Sequence, residues 1–491
     1  MKIYINGKEI YCAEHESLLT VLRRHAHPVN AVCAGMGTCK KCRVRVLNPQ
    51  FPTKAERDAL SDAEIDAGVR LACMTQVFDG MRAESEELEA VHTSARQNAQ
   101  RTQDAPFAAI ADIGTTTVAV GLVDLQSKEI FDSIVQNNAQ APYGADVITR
   151  IKNVENDGSA QTRLITAQVS GMLQGLLQKY PSGFNKLLYV SGNTTMLHIF
   201  FGVPCASIGV APYSPVFLES RTASAASLGM NVDASIISLP CVASFIGADI
   251  TAGVVSLFSE SERYTLLVDL GTNAEIVLFN KNKFFASSAA AGPAFEGANI
   301  RCGCAAVPGA VCGVKKSENS VIFETIDNAP AVGICGSGLI DIAAFLLEQG
   351  SIDATGQLRY DEYKIDGGVA VYPEDIRELQ LAKSAVCSVA ELLLDKAGIG
   401  ETEVERLCLS GGFGHYINAE NAAFIGLFPK SLAGKAVAVG NTSLAGTALF
   451  AADETARARA QRFAANAQVL DLSAGNDFYE RFVENMLFLQ D

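Results

Sequence analysis

Read from its N-terminus, the chain first alternates apolar and polar positions with a period of two. Lys2-Ile-Tyr-Ile and Lys8-Glu-Ile-Tyr11 flank Asn6-Gly7, a dipeptide suited to a two-residue hairpin turn. Ser17-Leu-Leu-Thr-Val-Leu-Arg-Arg24 then switches to helical spacing behind a capping serine. Alternation returns in Arg43-Val-Arg-Val-Leu47 and over Met74–Val77, ahead of a turn at Asp79-Gly80. A small α+β domain over residues 1–83 is the expectation. Residues 84–106 are acidic, then polar, with almost nothing to bury. They predict a flexible linker spanning ~20 Å for ~15 mobile residues, with a helical spacer as the alternative.

From Phe107 onward a strand–turn–strand pattern followed by helices occurs twice. Phe107-Ala-Ala-Ile-Ala-Asp112-Ile-Gly114-Thr115-Thr116-Thr117 and Tyr264-Thr-Leu-Leu-Val-Asp269-Leu-Gly271-Thr272-Asn273 each run an apolar strand into Asp-x-Gly-Thr and leave as a second strand. Further along, Leu187-Leu-Tyr-Val-Ser191-Gly192-Asn193 parallels Arg406-Leu-Cys-Leu-Ser410-Gly411-Gly412. An internal duplication accounts for both pairs, dividing this α/β region into 107–262 and 263–491. Helical spacing is clear at 343–349 and 385–394.

At 491 residues the chain exceeds one core, and 48% hydrophobic with 19% charged residues describes a globular protein. No apolar run approaches the roughly 20 residues of a membrane span. The start reads as strand and turn rather than signal peptide, which points to the cytoplasm. A net charge of −15 disfavours nucleic acid as a partner. The 13 cysteines then suggest metal ligands or buried thiols rather than disulfides. Cys33, Cys39 and Cys42 sit in a glycine-rich loop, spaced by five and two residues, with Cys73 thirty residues on. Three thiolates in a tight loop plus one distant thiolate are how a 2Fe-2S cluster is held. A zinc ribbon would need two Cys-x-x-Cys pairs, and one is present. Residues 1–48 carry eight Lys/Arg against three Glu. Lys40, Lys41, Arg43 and Arg45 flank the loop, either as a solvated strand face or as a basic rim for an acidic redox partner.

The two Asp-x-Gly-Thr turns offer backbone N–H groups and hydroxyls to phosphate oxygens. Asp112 and Asp269, just before the turns, suit Mg²⁺ held directly or through water. Two such hairpins facing across a cleft would grip a nucleotide's phosphates from both sides. These residues resemble the ASKHA superfamily, the actin-like, ribonuclease H-like fold of sugar kinases and 70-kDa heat-shock proteins. The resemblance makes 112–117 the first phosphate loop, with Gly114, Thr115 and Thr116, and 269–273 the second, with Gly271, Thr272 and Asn273. Ser410-Gly411-Gly412-Phe413-Gly414 becomes the adenosine loop, whose glycines admit adenine and ribose closely. Asp249, at a helix start, either positions water or metal or caps the helix.

A β-grasp 2Fe-2S domain joined to this ATPase resembles the ATP-dependent reductive activators of corrinoid-dependent methyltransferase systems over nearly the whole chain. Val190-Ser-Gly-Asn-Thr-Thr-Met, Ala291-Gly-Pro-Ala-Phe-Glu296-Gly-Ala and Gly333-Ile-Cys-Gly-Ser-Gly-Leu-Ile-Asp341 add to the likeness. It implies one-electron reduction of Co(II) to Co(I) in a corrinoid protein, with ATP and Mg²⁺ as cofactors beside the cluster. It also implies catalytic roles for Asp112, Asp249 and Asp269 and an upstream electron donor, and leaves a homodimer open. Arg301-Cys302-Gly303-Cys304 departs from the family's Gly-Met pair, as buried or loop thiols or as a second metal site. Alternatives are the activators of 2-hydroxyacyl-CoA dehydratases, which lack a separate ferredoxin domain, and a redox-sensing nucleotide-binding module without turnover.

Overall fold

At the Asn6-Gly7 turn both residues take positive φ, 49° and 78°, and join β1 (Lys2–Ile5) to β2 (Lys8–Tyr11) as an antiparallel pair. The computed structural model describes residues 1–25, 27, 29, 35, 37, 42–85, 90–91, 105–144, 146–157, 159–317, 320–411, 417–472 and 476–488. Ser17 caps α1 (Leu18–Arg24) by accepting the Thr20 N–H. There follow β3 (Arg43–Val46), two short capped helices α2 (Lys54–Arg57) and α3 (Asp62–Asp66), β4 (Val69–Leu71) and β5 (Arg82–Glu84). The sheet order is β2-β1-β5-β3-β4. Alternation puts Ile3, Ile5, Val44, Val46 and Ala83 on the face covered by Leu18, Val21 and Leu22, where they form one core. Met74–Val77 makes no strand: after Leu71 the chain turns, and only an isolated bridge, Ser17 to Gln76, remains of that expectation.

The stretch read as a linker begins inside β5. Its residues Ala90 and Val91 form a short strand, β6, paired with Gln136 and Val135. An edge strand offers unpaired backbone groups to any extended segment beside it, which composition alone does not announce. Residues 86–89 and 92–104, the rest of that expectation, lie outside the described residues.

β7 (Phe107–Ile113), β8 (Thr117–Asp124) and β9 (Ile130–Asn137) form an antiparallel meander. Helices α4 (Val147–Asp157) and α5 (Ala160–Leu177) lead to β10 (Phe184–Gly192), then α6 (Thr194–Phe200), β11 (Thr222–Ser224), β12 (Ser235–Ser238) and α7 (Ala248–Leu257). The sheet runs β11-β12-β10-β7-β8-β9-β6, with β10 parallel to both β7 and β12.

The plan then repeats. β13 (Tyr264–Leu270), β14 (Ala274–Phe279) and β15 (Phe284–Ala289) are an antiparallel meander. A three-stranded sheet of β16 (Ala310–Ser317), β17 (Ser320–Thr325) and β18 (Gly333–Ile334) intervenes, followed by α8 (Gly336–Glu348). A hairpin of β19 (Tyr363–Asp366) and β20 (Val369–Val371) precedes the long α9 (Pro373–Ala397). β21 (Val404–Ser410), α10 (Ala419–Phe424) and β22 (Ala436–Gly440) complete the core, with β21 parallel to β13 and β22. The sheet order is β22-β21-β13-β14-β15-β23, the last strand (Gln468–Val469) following α11 (Thr442–Ala452) and α12 (Glu454–Asn466). Strands 12-10-7-8-9 and 22-21-13-14-15 thus have one order and one set of directions. The duplication inferred from two short motifs extends to whole sheets.

The chain divides into two compact units, Met1–Asp249 with Thr447–Arg457, and Ile250–Gly446 with Ala458–Asp491. The N-terminal sheet and the seven-stranded sheet belong to the first. In the second, α13 (Asp477–Glu484) and the residues after it are held by polar positions of α9. Gln380 donates to the Met486 carbonyl at 2.7 Å, and the buried Lys383 ammonium to the Leu487 carbonyl at 2.7 Å. Among the described residues no helix is long and apolar enough to cross a membrane.

Two tests follow from this packing. A Cβ at Gly446 would fall 1.8 Å from the Ala252 carbonyl oxygen, whereas at Gly434 it would meet nothing within 4 Å. Urea unfolding should therefore show Gly446→Ala losing about 1–3 kcal/mol and Gly434→Ala within about 0.5 kcal/mol of wild type. Burial pushes Lys383 down to about 8 from 10.5. Between those pH values the unfolded chain holds a proton that the folded one releases, so wild-type stability rises with pH there. Its margin over Lys383→Met in urea unfolding is expected to be larger at pH 9.5 than at pH 7.5.

Candidate functional site

The cluster loop follows α1. Cys42, at the start of β3, and Cys73, after β4, converge because Arg43 pairs with Leu71 in the sheet. Their sulfur atoms are 3.3 Å apart, with Cys42 buried and Cys73 half-buried. Two thiolates on one tetrahedral metal, each at about 2.3 Å, lie roughly 3.7 Å apart, so this pair suits a shared iron. Gly35 and Gly37 hold φ of 99° and 77°, and a Cβ at Gly37 would stand 2.8 Å from Met74 Cε. Both glycines thus hold a backbone conformation that other residues rarely adopt. Cys33 and Cys39 lie outside the described residues, as do Lys40 and Lys41. Of the proposed basic rim, Arg43 meets Glu64 at 2.9 Å and Arg45 meets Glu84 at 3.6 Å. Two of the four cations are therefore answered locally and contribute little long-range field.

The turn expected to be the first phosphate loop joins β7 to β8. The Gly114 N–H donates to the Thr117 carbonyl at 3.0 Å, closing a tight turn with Thr115 half-buried and Thr116 exposed. Asp112 is half-buried on β7, opposite Ser191 of β10 in the parallel register. Asn193, which caps α6 by accepting the Met196 N–H, donates from Nδ2 to the Thr115 hydroxyl at 2.9 Å. The second loop is one residue shorter but is placed in the same way. The Gly271 N–H donates to the Asn273 carbonyl at 3.0 Å, and Asp269 lies opposite Ser410 of β21. The Ser410 hydroxyl is 3.0 Å from Asp269 Oδ2 and 2.9 Å from the Thr442 hydroxyl. With Ser410 donating to the carboxylate, Thr442 donates to Ser410, and the chain fixes the carboxylate's orientation. Thr272 Oγ1 is 3.2 Å from both carboxylate oxygens of Glu296.

Gly192 and Gly411 follow the two serines, with φ of 150° and 108°. A Cβ at Gly192 would approach the Ile113 carbonyl oxygen to 2.6 Å, and one at Gly411 the Leu270 carbonyl oxygen to 2.2 Å. Each glycine thus lets its strand end against the residue after the phosphate-loop aspartate, a packing reason for glycine at 411 beside the nucleotide one. Gly412 and the remainder of the adenosine loop lie outside the described residues. Asp249 does not cap α7; the helix begins at Ala248, and Asp249 sits half-buried in its first turn, where a carboxylate favours the helix dipole.

Among the described residues no group of three His, Cys, Asp or Glu side chains suits a metal ion. Cys302 and Cys304 are half-buried, and burial pushes the Cys304 thiol up to about 11. The sequence reading passed over Asn193 and Glu296 as individual residues, although both stood in the quoted stretches. It missed Asn138, Gln140 and Arg150 entirely, because isolated polar residues beside a strand or on a helix read as solvent-facing.

A converging cysteine pair beside the positive-φ glycines 35 and 37, on a chain with two Asp-x-Gly-Thr hairpins on matching sheets, defines a class: a 2Fe-2S ferredoxin domain fused to an ASKHA ATPase. Residues 3–78 match the 2Fe-2S iron-sulfur cluster binding domain, 107–259 the RACo middle region, and 263–491 the C-terminal domain of RACo, the ASKHA domain. The chain belongs to the RACo-type reductive activators. It is 28% identical to the corrinoid activation enzyme RamQ of Eubacterium limosum, over 79% of this chain and 71% of that one. It is 26% identical to the Co(II) methylated amine-specific corrinoid protein reductase of Methanosarcina barkeri, over 68% of each. A solved structure, the reductive activator for corrinoid, iron-sulfur protein, superposes with a TM-score of 0.70 at 27% identity, over 99% of this chain and 98% of that one.

Cys42→Ala is expected to abolish the visible absorbance of the purified cluster while the far-ultraviolet circular dichroism stays unchanged. Thr272→Val keeps the side-chain volume but removes the hydroxyl facing Glu296. Hydrogen bonds to charged groups contribute about 1.5–3 kcal/mol, so its ATP hydrolysis should fall roughly ten- to a hundredfold.

Proposed function

We propose that this protein uses ATP to drive one-electron reduction of a corrinoid protein from Co(II) to Co(I), restoring the methyl-accepting state. Membership of the activator family together with the converging Cys42–Cys73 pair carries this reading. A bound 2Fe-2S cluster supplies a one-electron carrier. The chain's part is to hold it: Cys42 and Cys73 on the two sides of one β-pair, with Cys33 and Cys39 as the other ligands. Each half contributes one phosphate loop. Asp112, Gly114, Thr115 and Thr116 in the first, and Asp269, Gly271, Thr272 and Asn273 in the second, are the residues proposed to bind ATP with Mg²⁺. Gly411 and Gly412 are proposed to admit the adenosine. Asp269 is the better-supported metal-orienting carboxylate, because Ser410 and Thr442 hold it in one orientation. Asp249 is proposed to act through water near Gly192 and Asn193, both of which abut Gly247. An upstream electron donor is proposed to reload the cluster.

The test mixes cluster-loaded protein, a chemical reductant, Mg–ATP and a Co(II) corrinoid protein, and follows Co(I) in the visible spectrum. Wild type should form Co(I) only with ATP. Cys42→Ala should form none, and Asp269→Ala should lose at least a hundredfold in rate while retaining its cluster spectrum. Equal rates with and without ATP would sink the proposal.

A further inference from the structure

Arg150, on α4, is 1% exposed. A guanidinium carries five N–H donors and a permanent charge, so burying it is costly unless acceptors surround it. Here the surrounding acceptors belong to the first phosphate loop and to the segment beside it. Nη2 donates to the Thr115 carbonyl, Nε to the Gly144 carbonyl at 3.0 Å, and Nη1 to the Gln140 side chain at 3.3 Å. The Met196 sulfur stands 3.2 Å from Nη1. Asn138 works alongside: its Nδ2 donates to the Gly114 carbonyl at 2.7 Å and its backbone N–H to the Thr116 carbonyl at 2.8 Å. Asn138 and Gln140 have no exposed surface. Segment 138–144 is therefore bound to all three residues of the turn, directly or through one guanidinium.

The same segment meets the ferredoxin domain. Arg23, in the last turn of α1, donates from Nε to the Pro142 carbonyl at 2.6 Å. Its guanidinium lies 5.5 Å from the centre of the Tyr143 ring, within cation–π range. Arg23 also borders the cluster loop: a Cβ at Gly35 would be 3.9 Å from both of its terminal nitrogens. One short segment thus touches the phosphate loop through Asn138 and Arg150, and the helix leading into the cluster loop through Pro142 and Tyr143.

We propose that Arg150 is a positioning residue for the nucleotide reaction, and that segment 138–144 couples the first phosphate loop to the seating of the ferredoxin domain through Arg23. This rests on the ATPase reading above. A planar fork shared between Thr115, Gly144 and Gln140 cannot follow one partner without moving the others. When the turn closes on phosphate, the segment moves with it, and Pro142 and Tyr143 re-seat Arg23. Such coupling is reciprocal: nucleotide favours one seating of α1, and that seating favours nucleotide by the same factor.

The experiment is amide hydrogen exchange of intact, cluster-loaded protein with and without a saturating Mg-bound non-hydrolysable ATP analogue, whose binding is measured in parallel by calorimetry. In wild type the nucleotide should slow exchange of the 18–24 amides about fivefold. Arg23→Met should lose that response and weaken nucleotide binding by no more than the same factor. Arg150→Lys, which keeps the charge and loses the fork, should weaken binding about tenfold and lose the α1 response even at saturation. Nucleotide binding with no change at α1 in wild type, or a full α1 response in Arg150→Lys, would overturn the proposal and leave the ATPase reading standing. Absence of nucleotide binding by wild type would overturn both.

Discussion

The parallel pairing of an aspartate-bearing strand with a strand ending in Ser-Gly is the contact on which the rest of this molecule depends. In each half it sets Asp112 against Ser191, and Asp269 against Ser410, at the strand ends where the phosphate turns begin. The following glycine is needed because the carbonyl of the residue after the aspartate occupies the space a Cβ would take. One register thus determines the aspartate's neighbour, the height of the turn and the point where the next helix or loop departs. A slip of one residue would send each aspartate to the opposite face of its sheet.

The two halves then secure their turns differently. In the second, hydroxyls do the work, with Thr442, Ser410 and Asp269 in series and Thr272 against Glu296. In the first, amides and one buried guanidinium support the turn from behind, while Asn193 reaches its hydroxyl from the front. A duplicated scaffold has therefore kept its strand order and diverged in its polar supports. The first half is also the one whose supports extend to the ferredoxin domain, which gives the asymmetry a role in joining nucleotide state to the cluster end of the chain.

Legibility in the sequence followed the range of the interactions concerned. The Asn6-Gly7 hairpin, the Ser17-capped helix and the strands around both Asp-x-Gly-Thr turns depend on a few consecutive residues and were readable from period and turn chemistry. The cysteine spacing was readable as a 2Fe-2S pattern, and the match of residues 3–78 to the cluster-binding domain agrees with it. Met74–Val77 was misjudged as a strand because four residues of suitable propensity carry no information about whether a partner lies alongside. Ala90 and Val91 were misjudged in the other direction, since an edge strand recruits them from outside. Asp249 does stand at a helix start, as the second residue of α7 rather than as its cap.

By itself the sequence determined the 2Fe-2S domain and the duplicated ASKHA architecture, with its two Asp-x-Gly-Thr turns. Most of this is written in short runs whose geometry the backbone enforces locally. Tertiary structure alone decided that Cys42 and Cys73 meet across β3 and β4, that Ser410 holds Asp269, and that Arg150 and Arg23 grip one segment. Those contacts join residues far apart in the chain. Their geometry exists only after sheet register and burial have removed water and left each polar group the partners that packing brings within reach.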